Sequence, residues 1–97
     1  MEVSFTAELW AHGDDPGSRH FVTLPVELAD EIRDAAGPRR GFGSIRVAAR
    51  LGASRWETSL FPESGTGSMV LPVKKAVRLA ERVEAGDACA IEVAMID

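Results

Sequence analysis

The sequence predicts a mainly β domain, a closed barrel of six strands with two short helices, and three observations carry that expectation. Apolar and polar residues alternate with period two in several stretches. Two Leu-Pro dipeptides, Leu24-Pro25 and Leu71-Pro72, each introduce a helical spacing of apolar residues. The pattern around the first dipeptide also recurs around the second, which marks an internal repeat.

The elements follow in chain order. Val3, Phe5, Ala7 and Leu9 alternate with Glu2, Ser4, Thr6 and Glu8, as in a strand with one wet face. Asp14-Asp15-Pro16-Gly17 reads as a turn, because a calcium loop needs more widely spaced oxygens and a closing Glu. Val22-Thr23-Leu24 is a short strand ended by Pro25, whose fixed φ suits the first helical position. Leu28, Ile32, Ala35 and Ala36 fall on one side of that helix, and Gly37-Pro38 stops it. The segments from Ile45 to Leu51 and from Trp56 to Phe61 alternate again, and Glu63 to Ser68 is a flexible loop. After Pro72, Val73, Ala76, Val77, Ala80 and Val83 form an apolar stripe that leaves Lys74, Lys75, Arg78, Glu81 and Arg82 outside. Gly86-Asp87 turns the chain into a last strand through Val93.

Three ordered matches define the repeat. Val22 to Val26 recurs as Met69 to Val73 at an offset of 47 residues, Phe5 to Trp10 as Trp56 to Phe61 at 51, and Ser44 to Ala48 as Ala90 to Ala94 at 46. Each unit reads strand, loop, short strand, helix, strand, so residues 1–51 and 52–97 form one domain of six strands. Six strands with one apolar face each avoid open edges by closing about a pseudo-two-fold axis.

Composition narrows the function. The 97 residues leave room for one domain and one core, with about 60 to 65% of the extended surface buried. No basic start precedes an apolar run and no stretch approaches a membrane span, so a cytoplasmic location is expected, with no membrane association. The single cysteine, Cys89, sits in an alternating run as a small buried thiol and can form neither an internal disulfide nor a structural zinc site. His12 and His20 read as exposed loop histidines. A net charge of −4 argues against a nucleic-acid binder. The charge is segregated, however: Arg39, Arg40, Arg46, Arg50 and Arg55 occur with no acid between Asp34 and Glu57, and the second helix carries Lys74, Lys75, Arg78 and Arg82 against Glu81.

Three features could hold a ligand. Arg39-Arg40-Gly41-Phe42-Gly43-Ser44 joins two fixed cations to two glycines, suited to a phosphate or carboxylate, although a connector after a helix stop has the same composition and a P-loop's Gly-Lys-Ser/Thr ending is missing. Lys74 and Arg78 lie one helical turn apart and can reach one anion, unless they are simply a solvated face. Thr58 shares a strand face with Trp56 and could line a pocket, although a core tryptophan needs no such role. No Ser-His-Asp or Cys-His arrangement can be assembled, so no catalytic residue is assigned.

The runs Trp56 to Pro62, Leu71 to Arg78 and Ala85-Gly86-Asp87, with Phe21 to Pro25 and Arg39 to Gly43, resemble a bacterial and archaeal family of uncharacterised domains, domain of unknown function 1905. The resemblance covers nearly the whole chain. It implies a six-stranded barrel with two helices, often fused to a second small domain, and no established reaction. Met69 stands where the family usually has an aromatic residue. A more distant likeness, in Leu-Pro, a short helix ending near Arg and Gly-Asp, is to dimeric transition-state regulators of the swapped-hairpin type.

The resulting expectation is a non-catalytic β-barrel binding module for a small anionic ligand or a partner protein. Its ligand-binding residues are Arg39, Arg40, Trp56, Thr58, Lys74 and Arg78, with no cofactor and no metal. The alternatives are a small enzyme with a pocket inside the barrel and a dimeric DNA-binding regulator.

Overall fold

The structure, a computed structural model, describes residues 1–15, 17–37 and 43–96. The elements run β1 (Glu2–Glu8), β2 (Trp10–His12), β3 (Arg19–Thr23), α1 (Val26–Ala36), β4 (Ile45–Leu51), β5 (Ser54–Pro62), β6 (Met69–Pro72), α2 (Lys75–Glu81) and β7 (Ala88–Met95). The strands form one sheet in the order β1-β7-β4-β5-β6-β3-β2, and every neighbouring pair is antiparallel.

The mainly β class with two helices is as the sequence predicts, whereas the closed six-stranded barrel is not. Seven strands curl into a half-barrel because the first predicted strand is divided at Leu9. The Leu9 N–H donates to the Asp87 carbonyl at 2.9 Å, and the Leu9 carbonyl accepts from the Gly86 N–H at 2.8 Å. With its backbone engaged by the turn before β7, Leu9 leaves the ladder. On one side β1 pairs with β7, and on the other β2 pairs with β3.

Period-two burial places the core inside the curl. Ile45, Val47, Ala49 and Leu51 of β4 point inward, while Arg46 and Arg50 point out. Leu9, Val22, Leu60, Met69, Leu71, Ile91 and Val93, each no more than 1% exposed, complete the cluster. Ser68 is the only buried polar side chain among the described residues, and its hydroxyl donates to the Leu24 carbonyl at 2.5 Å. A stretch read from sequence as a loop with no further signal therefore ends in a buried anchor.

The repeat matches fare unequally in the ladders. Two matched strands pair with each other, β3 with β6 where Val22 faces Leu71, and β4 with β7 where Ala49 faces Val93. The offset of 51 does not hold: Leu60 faces Ile45, but Ile91, the match of Ile45, faces Phe5 rather than Leu9.

The helices also start differently from the sequence reading. Pro25 is the residue before α1 and caps it through its carbonyl, which accepts from the Leu28 and Ala29 N–H groups, both at 3.0 Å. Pro72 belongs to β6, and α2 begins three residues later. The expected apolar stripe on α2 is only half inward: Val73 and Val77 are buried, whereas Ala76 and Ala80 are exposed and Leu79 is 68% exposed. Arg78 and Glu81, read as outside, are half-buried instead. The cause is a polar anchor, since Ser54 Oγ donates to Glu81 Oε2 at 2.6 Å and turns that side of α2 onto the start of β5. Gly52 makes the approach possible, having φ of 60° and a site where a Cβ would lie 1.9 Å from Glu81 Oε1.

Candidate functional site

The site arises where β5 and β6 part. They pair only at Phe61 opposite Val70 and Pro62 opposite Met69, after which β6 turns away toward β3. The Pro72 carbonyl is reached not by the β5 backbone but by the Trp56 indole N–H, at 3.1 Å. Trp56 is 6% exposed and so bridges the diverging strands as a floor.

Above that floor lies a cleft of about 330 Å³, lined by Trp56, Glu57 and Thr58 on one wall and by residues 17–20 and 72–75 with Arg78 on the other. Its position on β5 follows from strand geometry. Successive side chains of a strand point to opposite faces, so a depression on one face is lined by alternate residues. Three consecutive residues line this one, which places it along the edge of β5.

The second wall is held by short contacts. The Val73 N–H donates to the His20 carbonyl at 2.9 Å, and Arg78 Nη1 donates to the Val73 carbonyl at 2.8 Å, which fixes the guanidinium at the rim. His20 Nδ1 lies 2.8 Å from the Ser18 carbonyl. A carbonyl only accepts, so Nδ1 carries the proton and Nε2 is left for other contacts. The Arg19 guanidinium stacks over the Phe21 ring, 5.4 Å from its centroid. Arg19, Lys74, Lys75 and Arg78 thus line the cleft against one carboxylate, Glu57, which also lies 3.7 Å from Arg46.

Of the residues singled out from sequence, the structure brings Trp56, Thr58, Lys74 and Arg78 together in this cleft. Arg39 and Arg40 lie outside the described residues. Arg19, His20 and Lys75 were not assigned to a site. His20, expected in an exposed loop, is half-buried on β3. The pairing of the two Leu-Pro strands was the available signal, because it carries the start of β3 to the end of β6.

Two arginines of the acid-free segment have acidic neighbours from other strands. Arg46 reaches Glu57 on β5, and Arg50 is ion-paired with Glu92 on β7. Cys89 is buried as expected; burial pushes its thiol pKa up, and the Asp87 carboxylate adds to the rise, which disfavours the reactive thiolate.

No helix among the described residues is long and apolar enough to cross a membrane, and no three His, Cys, Asp or Glu side chains among them converge as metal ligands. What the fold and cleft define is a small curled-sheet domain with two helices and a slot along one strand edge lined by four cationic side chains. Residues 5–93 match the family described as Domain of unknown function (DUF1905), and the chain belongs to that family. No curated protein matches it.

Proposed function

We propose that the domain is a binding module whose cleft takes an anionic ligand. The observation that carries this reading is the charge of a built slot: four cationic side chains, Arg19, Lys74, Lys75 and Arg78, line it against Glu57 alone, in a chain of net charge −4. Against an acidic whole, that local excess focuses an attractive field for an anion. The ligand is held by charge and hydrogen bonds rather than by base stacking, because the Trp56 ring is buried and its N–H is already used by Pro72. A duplex nucleic acid fits poorly, since Glu8, Asp14, Asp15 and Glu84 line the adjoining depression that shares His20. The enzyme alternative asked for a pocket inside the barrel, where aliphatic side chains of the core are packed instead.

Titration with phosphate, sulfate, nucleotides and short DNA tests the reading. Each charged hydrogen bond to an anion is worth about 1.5 to 3 kcal/mol. Lys74→Ala with Arg78→Ala should therefore weaken binding by roughly two orders of magnitude or more. Arg78 also holds the Val73 carbonyl, so Lys74→Ala with Lys75→Ala, both exposed, is the companion variant that leaves the fold untouched. No saturable binding, or binding by both variants as tight as that of the wild type, returns these cations to a solvated face.

The same proposal takes the chain as a duplication of one ancestral unit. Its support is pairing: β3 and β4 each lie antiparallel beside their own match in the other half, β6 and β7.

A further inference from the structure

We propose that the cleft's ligand is an extended acidic peptide segment of a partner protein, which adds to the free edge of β5 as a short antiparallel or parallel strand. This rests on the anion-binding reading above and specifies its ligand class. Three features of the slot carry it.

The first is an open ladder. Over Ser54–Leu60, β5 pairs with β4 along one edge, and among the described residues no strand pairs with the other edge until Phe61 meets Val70. In any strand the N–H and C=O groups of alternate residues point to alternate sides, so a one-sided strand keeps half of its backbone groups for a further partner. Those groups face the cleft, because Trp56, Glu57 and Thr58 line it consecutively. A ligand there meets main chain as well as side chains.

The second is bounded length. At one end Ser54 is held to Glu81 of α2, and at the other β6 takes over the edge at Phe61. At about 3.4 Å per residue, the residues lining the slot on β5 leave room for roughly three residues of added strand. Such a site suits a short linear segment rather than a folded domain's whole strand.

The third is charge. Exposed lysines at a sheet edge repel casual pairing between chains, and here Lys74 and Lys75 stand with Arg19 and Arg78 across the slot from the edge. The arrangement favours a segment with aspartate or glutamate at alternate positions, which places their carboxylates toward one side of the added strand. Backbone bonds would supply affinity and the cations would choose the sequence.

The test uses the whole chain, labelled for amide NMR, with five probes: an acetylated, amidated pentapeptide alternating aspartate and valine, the same peptide N-methylated at its central amide, a lysine-for-aspartate counterpart, inorganic phosphate and a short DNA duplex. The proposal expects saturable shifts at alternate amides between residues 55 and 59 with the first peptide, binding weaker by about tenfold or more after N-methylation, and none by the lysine peptide. Equal binding of the two aspartate peptides, with phosphate also saturating the cleft, overturns strand addition and leaves the anion site standing. Failure of both peptide and phosphate overturns both readings. Tighter binding of DNA at the same amides overturns the peptide in favour of nucleic acid.

Discussion

Replacing Trp56 separates the packing of the cleft floor from its hydrogen bond. The side chain is 6% exposed within the core cluster and its indole N–H reaches the Pro72 carbonyl at 3.1 Å. Truncation of a buried aromatic ring costs about 3 to 5 kcal/mol, while a domain of this size has only about 5 to 15 kcal/mol in total. Trp56→Ala should therefore lower the melting temperature by about 12 °C or more, at roughly 4 to 8 °C per kcal/mol. Trp56→Phe retains an aromatic ring and loses the donor, which costs about 0.5 to 1.5 kcal/mol before any cost of the smaller volume, so its melting point should lie between. Circular dichroism during heating and urea titration reads both. Trp10, whose indole donates to Thr23 Oγ1 at 2.9 Å, remains as the fluorescent reporter in each variant. Unchanged melting of Trp56→Ala would refute the argument, since the ring could then be neither core nor floor. Equal losses in the two variants would assign the whole effect to the hydrogen bond.

Two further perturbations address the scaffold. Gly52→Ala should cost about 1 to 3 kcal/mol from the left-handed backbone and the displaced Glu81, and the cost should shrink when Glu81→Ala is already present. An additive double-mutant cycle in urea melts would contradict that coupling. The Cys89 thiol is raised in the folded chain by burial and then by Asp87, so the unfolded chain ionises first. Its contribution is fully present below the unfolded pKa of about 8.5 and declines as pH rises beyond it. Cys89→Ala should flatten the alkaline fall in stability, and an equally steep fall would show that another group causes it.

The strands were legible because alternation is local: Val3 to Leu9 and Ile45 to Leu51 alternate in sequence as they do in burial. The division at Leu9 was not, because its cause is a pair of hydrogen bonds to Gly86 and Asp87 at the far end of the chain. Orientation of α2 was misread for a similar reason. Seven residues make two turns, too few for periodicity to outweigh Ser54, which is 27 residues from Glu81. At the cleft, Trp56 with Thr58 and Lys74 with Arg78 were visible as pairs by period and helical spacing, while their meeting depends on how β5 leaves β6. Arg50 misled because its ladder partner Glu92 lies 42 residues away, and Arg46 because Glu57, the acid that closes the run, reaches back to it from the adjacent strand.

Charge reversal at the cleft rim tests the central claim most directly. Lys74→Glu with Lys75→Glu changes two exposed side chains that line the cleft, and inorganic phosphate titrated into the labelled wild type and variant reports on the amides of residues 56–58 and 73–78. The account predicts saturable shifts in the wild type and their loss in a variant whose melting temperature is unchanged. Shifts of equal size and midpoint in both proteins would contradict it.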